Sequence, residues 1–177
     1  MEKVNEKIII LKTKSLFNAI VLAVLSLPLA MSCSQGVEID GLVWAKENVG
    51  ISKTTPYVGY CNFTIAQTAC PEGWRLPTEE EFKNLSRNYS EVMEHNGIRG
   101  RWFSGSTPYK KGVKAVFLPM AGRDWGYGTE DVATLGLYWS SSANGRYDAY
   151  GLGFGGSGVD VFSFDRSYRV SVRCIKN

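Results

Sequence analysis

Residues 61–82 read CNFTIAQTACPEGWRLPTEEEF. Phe63, Ala66 and Cys70 stand three and four apart, the spacing that puts side chains on one face of a helix, and Pro71-Glu72-Gly73 ends that helix. Thr78 followed three residues later by Glu81 is a capping box, and Glu79, Glu80 and Glu81 put three carboxylates at the positive end of a helix dipole. Phe82, Leu85, Tyr89, Val92 and Met93 then recur at helical spacing. The spacing predicts a second helix running to a stop at Asn96-Gly97. The acidic triplet reads as a helix start, not as catalytic carboxylates.

Beyond Gly97 the period changes. Apolar runs at 115–118 and 135–140 alternate with Gly-, Asp- and Trp-rich loops. Tyr150, Leu152 and Phe154, then Val159 and Val161, then Val170 and Val172 follow at period two, which predicts a half-buried antiparallel sheet. Leu152, Phe154, Val159, Val161, Val170 and Val172 form its expected inner face. Gly151, Gly153, Asp160, Phe162 and Phe164 are expected to face solvent on one surface with Arg146 and Tyr147. Upstream, residues 37–49 (VEIDGLVWAKENV) read as a strand and turn anchored by Trp44. Two short helices among twisted antiparallel strands make an α+β, loop-rich chain.

The N-terminus has a different character. Residues 1–14 carry Lys3, Lys7, Lys12 and Lys14 against Glu2 and Glu6, and residues 15–30 (SLFNAIVLAVLSLPLA) carry no charge. A basic flank before a short apolar run is the layout of a secretory signal peptide, and the run falls short of the roughly 20 residues that span a bilayer. Residues 29–33 (LAMSC) resemble a bacterial lipobox, which implies a lipid on Cys33; an ordinary signal-peptidase cut at the same bond would leave a free thiol. The expected organisation is a signal peptide at 1–32, a lipidated N-terminus and tether at 33–38, and one domain at 39–177. The exported product would be held at the outer membrane or cell surface by its lipid. The signal holds 4 of the 20 basic and 2 of the 17 acidic residues, so the remainder carries 16 − 15 = +1. No basic stripe suggests nucleic acid as a partner.

Four blocks carry a family resemblance: residues 69–82 (ACPEGWRLPTEEEF), 117–123 (FLPMAGR), 138–142 (YWSSS) and 171–175 (SVRCI). In this order they are similar to the signature of the Fibrobacter succinogenes major paralogous domain, a family common in bacterial surface lipoproteins. The resemblance implies a C-type-lectin-like fold, related to that of the formylglycine-generating enzymes. Phe63, Ala66 and Cys70 resemble the aromatic-x2-Ala-x3-Cys of that fold's first helix, whose Cys pairs with one in the last strand; here that implies a Cys70–Cys174 bridge, with Cys61 unpaired. The chemistry of the fold's relatives does not carry over. The calcium motifs Glu-Pro-Asn, Gln-Pro-Asp and Trp-Asn-Asp are absent from the sequence, and only one Cys lies near the C-terminus where the formylglycine-generating branch needs a pair. His95, the sole histidine, is expected at a helix end as a solvated or capping residue. No nucleophile elbow or phosphate loop occurs. The expectation is a non-enzyme without metal or cofactor.

Residues 140–173 contain no Lys, Glu, Gln, Met or Trp, and glycine recurs at alternate strand positions, where it packs nothing and costs backbone entropy. The segment resembles the variable region of proteins diversified by retroelements, in which adenine-rich codons are randomised; Arg169 and Val170 depart from that pattern. A plain glycine-rich solvent face is the competing reading. If the face binds, its contact residues would be Arg146, Tyr147, Asp148, Asp160, Phe162, Phe164, Asp165, Ser167 and Tyr168. The expected role is a non-catalytic ligand-binding or adhesion module for an extracellular protein or glycan. The alternatives are a structural or assembly component of the envelope and a degenerate relative of the formylglycine-generating enzymes.

Overall fold

A computed structural model describes residues 36–50 and 59–177. The signal peptide read at 1–32 and the lipid site read at Cys33 lie outside the described residues. Strand β1 (Gly36–Ile39) turns at Asp40-Gly41 into β2 (Leu42–Ala45), burying Trp44. The domain therefore begins three residues earlier than the boundary drawn at 39, and residues 36–38 belong to the sheet rather than to a tether. Ile175 of β12 (Ile175–Lys176) pairs with Trp44, and β12 also pairs with β3 (Trp74–Arg75), giving a four-stranded sheet in the order β1-β2-β12-β3. Among the described residues, no helix is long and apolar enough to cross a membrane.

The first helix, expected over residues 61–69, is a single turn that ends before Cys70, and the second starts where its capping box places it. In α1 (Phe63–Ala66) the Asn62 side chain accepts from Ile65 N at 3.0 Å, and Phe63 and Ala66 are buried. In α2 (Glu79–Ser86) Thr78 Oγ1 accepts from Glu81 N at 3.2 Å, and Glu81 Oε2 accepts from Thr78 N at 2.7 Å. The second helix is shorter than expected. It ends at Ser86, and the predicted helical residues Val92 and Met93 lie in a strand, β4 (Ser90–His95), with Tyr89 just before it. Asn96 and Gly97 have φ of 52° and 77°, the two positive values of a tight hairpin turn, and they join β4 to β5 (Ile98–Phe103). The Asn-Gly pair is thus a hairpin signal, not a helix stop. His95 consequently sits at a strand end, not a helix end.

β5 pairs on its other side with β6 (Val116–Pro119). A short hairpin, β7 (Arg123–Asp124) with β8 (Thr129–Glu130), precedes the sheet β11-β10-β9, built from β9 (Gly136–Asn144), β10 (Asp148–Phe154) and β11 (Val159–Asp165). All of these pairings are antiparallel, so the chain is α+β, loop-rich and mainly antiparallel, with two short helices. The central strand β10 is buried on both faces over residues 151–154, where the period-two reading predicted one wet face. Leu152, Phe154 and Tyr138 join Phe82, Leu85 and Phe103 in one core; Leu137, Trp139, Ala149 and Phe164 join Phe63, Val170 and Val172 in a second. Leu152, Phe154, Val170 and Val172 are buried as expected, while Val159 and Val161 are half-buried against the first core.

The Cys70–Cys174 disulfide is present, with Cα atoms 5.9 Å apart, and Cys61 is a free, buried thiol whose pKa burial pushes up to about 11. The bridge closes a sequence separation of 104 residues. On the chain-entropy account such a loop is worth about 4–5 kcal/mol. A Cys70→Ala/Cys174→Ala variant is therefore expected to lose about 2–4 kcal/mol of unfolding free energy in urea titrations, since part of the constraint is duplicated by strand pairing.

Arg75 donates to both carboxylate oxygens of Glu81, at 2.8 and 2.6 Å, and this guanidinium holds the Glu81 carboxyl below the usual glutamate range. A depressed folded pKa gives stability that is present above the unfolded value of about 4.3 and is lost as pH falls through the folded value. Glu81→Gln should flatten the acid limb of a Tm-against-pH curve below about pH 5; an unchanged limb would count against the pair.

Candidate functional site

Strand alternation divides the nine residues read as a contact face. In the β10–β11 register, Gly153 faces Asp160, Gly151 faces Phe162 and Ala149 faces Phe164, so these side-chain positions share one face. Asp148 is paired with Asp165, and both alternate with Leu152 and Val161 onto the other face. The two aspartates therefore do not join the aromatic residues. Asp165 has a local job: Ser167 N donates to its Oδ1 at 2.8 Å, and hydrogen bonds from Ser167 hold its carboxyl below the usual range. Tyr168 N donates to Asp165 O, so the Asp165–Ser167 turn presents Tyr168.

The expected exposure of the glycines and of Phe164 is wrong, and the reason is packing. Gly151 and Gly153 are buried. A Cβ at Gly151 would lie 2.5 Å from the Tyr138 carbonyl and 2.7 Å from the Phe164 ring, and one at Gly153 would collide with the Phe162 ring. Each ring lies across the glycine of the neighbouring strand, so the glycines are absent side chains that make room for aromatic ones. Phe164 is only 8% exposed, stacked on Trp139 with ring centres 4.3 Å apart, whereas Phe162 is 42% exposed.

From Phe162 a row of rings continues across the surface. Phe162 and Phe164 are 5.5 Å apart, Phe164 and Tyr168 5.8 Å, and Tyr168 meets Trp125 edge-on at 4.8 Å. The Arg123 guanidinium lies 4.9 Å from the Trp125 ring centre and 5.8 Å from that of Tyr168. Trp125 is held by a 2.8 Å bond from its Nε1 to Glu130 Oε2, and Tyr127 at the tip of the same β7–β8 hairpin is 92% exposed. Arg169 Nε sits 3.2 Å from Asp124 Oδ2 and its carbonyl accepts from Asp124 N, which ties the hairpin to the C-terminal segment. Arg146 and Tyr147, on the β9–β10 turn, are exposed, with the guanidinium 5.4 Å from the ring; Arg166 N donates to Tyr147 O at 2.9 Å. Asp160 is exposed, and its Oδ1 accepts from Val161 N at 2.8 Å.

Arg123, Trp125 and Tyr127 were not foreseen as part of this surface. Their signal was available in Trp125-Gly126-Tyr127-Gly128, two large rings spaced by glycine in a loop with no apolar period to bury them. Among the described residues, no group of three or more His, Cys, Asp or Glu is arranged to hold a metal ion. No family profile, no curated protein and no solved structure matches the chain.

The packing makes the two kinds of position separable by substitution. Gly151→Ala and Phe164→Ala are each expected to destabilise, by about 1–3 and about 3–5 kcal/mol respectively, because one overpacks a closed site and the other empties it. Phe162→Ala should cost less than Phe164→Ala in the same urea titration, since a large part of its ring is already in water.

Proposed function

We propose that the chain is an exported, lipid-anchored, non-catalytic binding module that meets a protein or glycan ligand outside the cell through the surface running from Phe162 over Tyr168 and Trp125 to Tyr127. The observation that carries this reading is the row itself: Phe162, Tyr168 and Trp125 reach the surface, linked beneath by the buried Phe164, with Arg123 against two of these rings and Tyr127 projecting beyond. Rigid aromatic side chains give large contact area at little conformational cost, and arginine and aromatic anchors dominate binding energy at interfaces. Their placement on strands and on a hairpin pinned by Asp124 and Arg169 keeps the surface preorganised.

The C-type-lectin-like assignment, and with it kinship to the Fibrobacter succinogenes major paralogous domain, is part of this proposal. It is supported by the pairing of Cys70, four residues past α1, with Cys174 beside the last strand. A lipid on Cys33 would lie three residues before the first strand in sequence. The positions free to vary without cost to the core are Arg146, Tyr147, Asp160 and Ser167, all exposed. Gly151, Gly153 and Phe164 belong to the packing and drop out of any variable set.

Two readouts test the reading. Cys33→Ala should move the protein from the membrane fraction to the soluble exported fraction; unchanged membrane association would remove the anchor from the proposal. On an array of secreted proteins and glycans, any partner captured by the wild-type chain should bind at least about tenfold more weakly to Phe162→Ala and Tyr127→Ala, with the native circular dichroism spectrum kept in both and the melt unchanged in Tyr127→Ala. Partners insensitive to both substitutions would place the contact elsewhere.

A further inference from the structure

A second surface, sharing no residue with that row, also has the character of a binding site. A cleft of about 620 Å³ opens between residues 46–48, which follow β2, and one face of the β4–β5–β6 sheet. Its volume lies within the roughly 300–1,000 Å³ of small-molecule sites. One wall is aromatic. The register pairs Trp102 with Phe117 and His95 with Ile98, and all four line the cleft. Trp102 stands 5.0 Å from the His95 ring and 5.1 Å from Phe117, and is backed by Tyr109, stacked at 4.8 Å and 7°. Phe117 lies across Gly100, where a Cβ would collide with the ring, so the wall is seated directly on the strand.

The rest of the lining combines apolar Val37, Ala115, Val116 and Pro119 with polar groups of both signs: Lys46, Glu47, Asn48, Asn96 and Arg173. Asn48 and Arg173 are buried and joined by a 2.8 Å bond from Arg173 Nε to Asn48 Oδ1, which fixes the floor. Arg173 is committed to Asn48 and to the Ala45 and Lys46 carbonyls, and the exposed cation and carboxylate side by side at Lys46 and Glu47 favour neither an anion nor a cation. A purely apolar ligand would cover these groups without pairing them, at a cost in desolvation. The complement of an aromatic wall facing mixed donors and acceptors is a neutral ring with an apolar C–H face and a hydroxyl-bearing edge. We propose that this cleft binds a neutral pyranose saccharide, stacked against the Trp102–Phe117 wall and hydrogen-bonded by Glu47 on the opposite side, with no metal ion between protein and sugar.

The probes are diacetylchitobiose, cellobiose and mannobiose, titrated into the purified chain with tryptophan fluorescence and saturation-transfer NMR as readouts. At least one should bind saturably below about 10 mM, unaffected by EDTA. Trp102→Leu should weaken it by about tenfold, the scale of an aromatic contact. Because that change also touches the sheet, Glu47→Ala decides the matter: Glu47 is exposed, and its loss should weaken binding roughly threefold or more while the melt stays unchanged. Phe162→Ala should leave the affinity as it is, which separates this cleft from the aromatic row. Failure of all three sugars to bind, dependence on calcium, or an unaltered affinity in Glu47→Ala would overturn the proposal.

Discussion

Six consecutive residues near the C-terminus, 170–175, are all essentially removed from solvent, and the other segments are organised around them. Val170 exchanges backbone hydrogen bonds with Cys61; Ser171 bonds to Leu137 and Trp139; the carbonyls of Val172 and Cys174 accept from Val49 and Ala45. Cys174 is bridged to Cys70, and Ile175 lies between Trp44 and Arg75. A buried extended segment must satisfy every backbone group internally, so each of these partners is obliged to stay in place. Arg173 adds a polar lock: its Nη1 donates to the Ala45 and Lys46 carbonyls at 2.7 and 2.9 Å, and through Asn48 the network reaches Tyr138, whose hydroxyl donates to Pro119 O. Burial pushes that phenol up to about 12, so it stays a neutral donor. One short segment thus joins the N-terminal hairpin, the first helix, the central sheet and β6.

A second constraint follows from a sheet covered on both sides. Where two faces are packed, a strand cannot place large side chains on both without crowding, and this chain alternates ring and glycine across neighbouring strands. Phe154 lies over Gly136, Phe162 over Gly153, Phe164 over Gly151 and Phe117 over Gly100. The missing Cβ permits close approach, and the ring restores the buried area that glycine forfeits. The functional consequence is rigidity. Both proposed binding surfaces rest on such pairs, so their aromatic side chains are positioned before any ligand arrives.

The local turns and caps were legible because their causes are local. Thr78 and Glu81 form their capping box within four residues, Phe63 and Ala66 bury the face their spacing marks, and alternation assigns Leu152 and Phe154 to the interior. Val92 and Met93 were misread as helical because their spacing fits both periods in so short a run; the Asn96-Gly97 turn and the pairing with β5 decide for the strand. The contact face was legible only in part. Tyr147, Asp160, Phe162 and Ser167 are exposed, whereas Phe164 and the two glycines are not, and Asp148 with Asp165 alternates away from the aromatic residues.

What the sequence by itself determined is therefore the α+β character, the capped start of the second helix, the hydrophobic alternation and, through a family resemblance, the Cys70–Cys174 pair. What only the tertiary structure decided is which layer covers which face. The second core, built on Trp139, Phe63 and Val170, closes the side of the sheet that alternation alone would leave in water. It thereby turns Gly151 and Gly153 from apparent surface positions into sockets for rings. The approach of Trp125 to Tyr168 belongs to the same class, since residues 43 apart in the chain share no local signal. Periodicity reports that a side chain has two sides to choose between; whether the polar side stays wet depends on elements distant in sequence, and that choice is made by packing.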